Sequence, residues 1–191
     1  MIRSHRLLAA LLIGVALAGG LSVPRPAVAA SAAELNRDSA AALQRLYQLQ
    51  PAARKLGQTA KAVLVFPRIV KAGFMFGGQI GEGAMRTGNL LKGGRVVGYY
   101  NSVAASYGFQ AGIQEFGYAL FFMNDAALAS LDSRDGFELG VGPSVVLVDQ
   151  GIGKSITSST LTEDIYAFIF SQKGLMAGMG VQGSKISKID K

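Results

Sequence analysis

Apolar residues near the start of the chain's polar region recur at helical spacing. Leu35, Ala42, Leu46 and Leu49 fall on one stripe, with Arg37, Asp38, Gln44, Arg45 and Gln48 largely off it, the pattern of an amphipathic helix. Ser31 stands three residues before Glu34, the S-x-x-E spacing that lets each side chain satisfy a free backbone N–H at a helix start. A helix over 31–50 is therefore expected. Pro51 interrupts it and suits the first turn of a second helix over 51–61, where its missing N–H costs nothing.

The pattern changes at Ala62. Val63, Leu64, Val65 and Phe66 form an unbroken apolar run, which reads as a strand buried on both faces. Pro67 is expected at its end, where an absent donor is tolerated. Further strand-like stretches follow at 69–75, 84–91, 96–100, 102–112 and 115–123, with a turn at 92–95. Between the first two, the glycine cluster at 77–83 reads as a sharply bent strand or bulge. Asn124 or Asp125 caps a short helix ending at Leu131, and Asp135-Gly136 is a turn. Strands are expected at 137–148, 165–172 and 175–186. Helices first, then strands with one helix inserted, give an α+β fold: N-terminal helices packed on a glycine-rich, mainly antiparallel β-sheet or partly closed barrel.

Ahead of all this, Arg3 and Arg6 precede an apolar run over 7–21 and a small-residue stretch ending Ala27-Val28-Ala29. This is the layout of a cleavable secretory signal, and a 15-residue run broken by three glycines is short for a membrane span of roughly 20 residues. The expected organisation is a signal peptide over 1–29 and a single domain over 30–191, helical at 31–61 and mainly β at 62–191. The expected location is periplasmic or secreted, with peripheral attachment to a membrane. Losing Arg3, Arg6 and Arg25 lowers the formal charge from +7 to +4, too weak a bias to argue for nucleic acid.

The single histidine, His5, lies in that leader, and the chain has no cysteine or tryptophan. The remaining 162 residues therefore hold neither imidazole nor thiol. That excludes a Ser-His-Asp triad, a thiolate nucleophile and an ordinary zinc or copper site, and no disulfide can staple the fold. Gly151-Ile152-Gly153-Lys154-Ser155 resembles the end of a phosphate loop, but Val148 stands where the first glycine belongs. The 77–83 cluster likewise fails the G-x-G-x-x-G spacing. Glu82, Glu115, Asp149, Glu163 and Asp164 are the acids a two-carboxylate hydrolase would draw on, and nothing in their spacing pairs them. No enzyme, no cofactor and no metal are expected.

One feature does suggest a partner. Lys61, Arg68, Lys71, Arg86, Lys92 and Arg95 face a single acid, Glu82, between residues 60 and 100. Such a patch suits an anionic headgroup, at about 1 kcal/mol per basic residue near a charged bilayer, and equally serves as ordinary solubilising charge.

AKAVLVFPRIVKAGF (60–74) followed by GGQIGEG (77–83) resembles the SYLF domain family. ASYGFQAG (105–112), LFFMNDAAL (120–128), FELGVGPSVV (137–146) and KGLMAGMGVQGSKI (173–186) resemble its later blocks in the same order. The resemblance covers roughly residues 43–190. It implies binding of acidic lipids, as in eukaryotic members, whereas the actin binding of yeast members does not fit an exported bacterial protein. The eukaryotic lipid-contacting amphipathic helix is replaced here by the leader and the 31–50 helix. The reading is an exported, non-enzymatic protein that binds anionic phospholipid or a membrane surface through Lys61, Arg68 and Lys71. The alternatives are an envelope structural or protein-interaction module with an envelope protein as partner and, behind it, an outer-membrane β-barrel.

Overall fold

A flat 28-residue strand would run about 90 Å, far longer than a domain of this size can accommodate, so the two longest strands here must curl. The computed structural model describes residues 30–131, 137–138, 143–148, 162–177 and 184–191. Its elements are α1 (Ala32–Leu49), α2 (Pro51–Thr59), β1 (Ala62–Thr87), a 3-10 turn (Leu90–Lys92), β2 (Arg95–Phe122), α3 (Asp125–Leu131), β3 (Phe137–Glu138), β4 (Val145–Leu147), β5 (Ile165–Ala177) and β6 (Lys185–Ile189). The fold is α+β, with helices on a curled mixed sheet that forms a half-barrel.

β1 and β2 form one long antiparallel hairpin. The other edge of β2 is shared: β6 pairs with it over 99–103 and β5 over 111–122. β3 pairs with β6, and β4 lies parallel to β5, the single parallel pairing among the described strands.

Both faces of the hairpin's open end, where β1 begins and β2 finishes, are covered. Val63, Val65, Ala119 and Phe121 pack under Leu43, Leu46, Tyr47, Ala53 and Leu56 of the two helices. Ala62, Leu64, Phe66, Ile69, Leu120 and Phe122 face the concave interior, which Ala127 and Leu131 of α3 help to close. Thus the run at 63–66 is buried on both faces, as its lack of alternation implies. The curl demands close backbone approach: a Cβ at Gly83 would stand 2.6 Å from Phe66 Cδ1 and 2.8 Å from Val65 O, and one at Gly81 2.7 Å from Ile69 Cγ1.

The caps form as expected. Ser31 and Glu34 make the reciprocal capping box, and Pro51 opens α2, which stops at Thr59. Asn124 Oδ1 accepts from Ala127 N at 2.8 Å and so caps α3. The α1 stripe packs on the sheet: Leu35 and Leu46 are buried, and only Leu49 is open, at 52 %.

Several boundaries differ from the sequence reading. Pro67 lies inside β1, at a register shift between Phe66 and Ile69; the bulge, not a strand end, absorbs its missing donor. The strands expected at 69–75 and 84–91 are parts of the continuous β1, which ends at Thr87, and residues 90–92 turn as 3-10. The strand expected over 137–148 is seen as β3 and β4, with Pro143 and Ser144 outside any strand. The strands expected at 165–172 and from 175 onward run together as β5. The turn at Asp135-Gly136 and the phosphate-loop resemblance at 151–155 lie outside the described residues.

Arg86, counted in the basic patch, is not on the surface. It is 6 % exposed and acts as an internal strut. Its Nε donates to Gly93 O, and its terminal nitrogens donate to Ser39 Oγ at 2.7 Å, Asn36 O at 3.1 Å and Gly94 O at 3.3 Å. Burial lowers its pKa from the ordinary guanidinium value, but the group remains a cation. Tyr99 adds a hydrogen bond to Asn36 Oδ1 at 3.0 Å, so α1 is tied to the far end of the hairpin. Ala30 and the C-terminal residue meet nearby: Lys191 Nζ donates to Glu82 and to Ala30 O, and Ala30 N donates to Glu82 Oε2 at 3.2 Å.

A basic cleft where two strands are bulged

The two strands that flank β2 are irregular at one level. β1 carries an extra residue around Pro67 and Arg68, and β5 carries one around Ser171, opposite Phe116 of β2. Ser171 has φ 54°, a left-handed conformation that non-glycine residues rarely adopt. Nearby Gly174, at φ 87°, takes the same region without cost. Bulges in register kink the sheet away from α1, and the gap is an open cleft of about 580 Å³.

The cleft draws charge from four elements. Arg45 and Asp38 come from α1, Arg68 from β1, Glu115 from β2 and Lys173 from β5. Arg68 donates to Glu115 Oε1, with side chains 66 % and 38 % exposed. That hydrogen bond, with smaller contributions from the charges of Arg68 and Lys173, lowers the Glu115 pKa, while the Arg68 pKa rises. Three cations around two carboxylates leave one net positive charge. Ser171 Oγ is buried and has no hydrogen-bond partner among the described residues. The apolar lining is Phe116, Phe170 and Pro67. Such a site can attract an anion beside an apolar wall.

Of the three residues expected to contact headgroups, only Arg68 lines this cleft. Lys61 precedes β1 and pairs at 3.7 Å with Asp125 at the start of α3, about 23 Å from Arg68 along the strand. Lys71 is half-buried opposite Gln114, and by strand alternation it shares the concave face with Ile69. The structure therefore does not gather the three. It brings Arg45 and Lys173 to Arg68 instead, from positions 23 residues before and 105 after it in the sequence. No local pattern links those positions; the register of β2 with β5 does. Among the described residues, no cluster of three or more acids could hold a metal ion.

A search of curated proteins finds no match. Residues 103–191 match the family model described as Ysc84, Las17-binding protein actin regulator. The match starts within β2 and takes in Glu115, Ser171 and Lys173 of the cleft. Over residues 103–191, a little under half of the chain, the sequence is thus similar to the Ysc84 family, whose description is that of a binding protein.

Proposed function

We propose that this protein binds anionic phospholipid headgroups at the cell envelope and catalyses no reaction. The observation that carries the reading is the convergence of Arg45, Arg68 and Lys173 on one open cleft, beside the unpartnered Ser171 hydroxyl. A phosphate there would accept charge-assisted hydrogen bonds from a guanidinium fork, and Phe116 and Phe170 would meet the glycerol and upper acyl carbons. Arg68 is the central headgroup contact in this proposal, with Lys71 at the mouth of the concave face and Lys61 a weaker, outlying site. Export on residues 1–29, a mature domain beginning at Ala30, and a periplasmic or secreted location with peripheral membrane attachment belong to the same proposal.

Sedimentation with vesicles of phosphatidylglycerol mixed into phosphatidylcholine, against phosphatidylcholine alone, tests it. Selective binding to the anionic vesicles is expected, weakening as salt shortens the Debye length. Equal binding to both, or to neither, would remove the headgroup reading.

The second reading is a protein-interaction module, favoured by the matched family's description, which names a protein partner and actin regulation. Crosslinking to an envelope protein with no dependence on lipid would support it. The barrel alternative fits poorly, because α1 and α2 cover part of the outer sheet face that a membrane barrel would turn toward lipid. No described helix is long and apolar enough to cross a membrane.

A further inference from the structure

Beyond the cleft, the β1–β2 hairpin passes through its bend with its outer face open. Phe76 is 69 % exposed and Ile80 61 % exposed on β1, and Ile113 is 62 % and Val103 45 % exposed on β2. Val103 is the register partner of Ile80, and Ala72 that of Ile113. By strand alternation all four large side chains share one face, and the alanines and glycine between them are exposed as well. No charged residue occurs at 72–81 of β1 or at 96–114 of β2. Neither helix reaches this face: α1 and α2 pack on the open end of the hairpin, and the start of α1 on Arg86 and Tyr99.

Soluble proteins seldom leave a contiguous apolar face of this kind uncovered. Its borders indicate what covers it. At one end stand Arg68 and Lys173, with Glu115 as their acid; at the other stands Lys185, the exposed register partner of Val103. An uncharged centre with a cationic rim is the complement of an anionic bilayer, where apolar groups enter the acyl boundary and basic groups stay with the phosphates. A protein partner would more commonly meet a rim of mixed sign.

We propose that this face of the hairpin bend lies in the surface of an anionic membrane, Phe76, Ile80, Val103 and Ile113 entering the acyl layer while the rim holds headgroups. This rests on the lipid reading above and gives it an orientation and a depth. β1 pairs only with β2 among the described strands, so the hydrogen-bonding groups of its other edge need water. The hairpin therefore lies flat, about 5–10 Å deep, with its edges among the headgroups, and does not span.

The chain contains no tryptophan, so Phe76→Trp introduces a lone reporter, with Ile80→Trp as a second and Leu49→Trp on α1 as the off-face control. The protein is taken in the form recovered from the producing cells. On adding phosphatidylglycerol vesicles, emission from the F76W and I80W variants is expected to move to shorter wavelength and to be quenched by acyl-brominated lipid, with that of L49W unmoved. Ile80→Gln and Ile113→Gln should each weaken vesicle binding about tenfold, from the apolar burial lost. Binding retained with both face reporters unmoved and unquenched overturns the orientation and leaves the lipid reading standing. No binding to any vesicle overturns both. A blue shift without vesicles that grows with protein concentration assigns the face to a second copy and overturns the proposal.

Discussion

A methyl group at Gly83 would meet the Phe66 ring and the Val65 carbonyl at 2.6 and 2.8 Å, whereas at Gly78 its nearest neighbour would be Ala104 O at 3.5 Å. The two glycines sit in the same strand and differ only in what the curl brings against them. Gly83→Val should destabilise the fold by about 1–3 kcal/mol through overpacking, and Gly78→Ala should stay within about 0.5 kcal/mol; urea unfolding separates the two. Arg86 makes an equally local argument. Replacing it with Met strips hydrogen bonds from three carbonyls and Ser39 and should cost about 1.5–3 kcal/mol. Arg86→Lys should recover little, since one ammonium cannot reproduce the fork. Asp164 supplies a pH dependence. Its carboxylate accepts from Asn124 Nδ2 at 2.7 Å and Ser144 N at 3.0 Å, joining the α3 cap to the starts of β4 and β5. The Asn124 bond, then those from Ser144, hold its pKa below the ordinary 3.8. A lowered folded-state pKa stabilises above the unfolded value and loses that contribution as pH falls through the folded one. The Tm gap between the protein and Asp164→Asn should therefore be widest above pH 3.8 and close below it; a gap constant with pH would contradict the network.

At the scale of elements, the N-terminal helix was legible from a few residues. Ser31, Glu34 and the leucine stripe specify its start and its buried face, and Ser31→Ala should cost about 1 kcal/mol by thermal melting. The run at 63–66 was legible for the same reason: an apolar stretch without alternation has to be covered twice. Pro67 misled because a proline marks the loss of a donor and not the way the chain absorbs it. A bulge keeps the strand going, and its counterpart at Ser171 lies more than 100 residues away. The glycine cluster at 77–83, read as a bent strand or bulge, is part of the continuous β1, although its flanks read as separate strands. The glycines there allow the strand to bend and pack on itself, and a bend resembles an end when only one strand is in view.

At the scale of the molecule, basic residues close in sequence were a poor guide to basic residues close in space. Lys61, Arg68, Lys71 and Arg86 lie within 26 positions of one another, yet Lys61 pairs with Asp125, Arg86 is an internal strut, and Lys71 faces inward. The cleft is assembled by sheet register, from α1, β1, β2 and β5, and so was visible in the sequence only through Arg68. The hairpin face beside it has no charge along either strand, which the sequence records but which acquires meaning only once both strands show the same face outward. The direct test of the account is vesicle sedimentation of the protein beside Arg68→Gln/Lys173→Gln. At about 1 kcal/mol per basic residue, the double variant should bind phosphatidylglycerol vesicles about thirtyfold more weakly with unchanged Tm. Unchanged affinity at low salt, in a variant that still folds, would contradict the claim that this cleft holds an anionic headgroup.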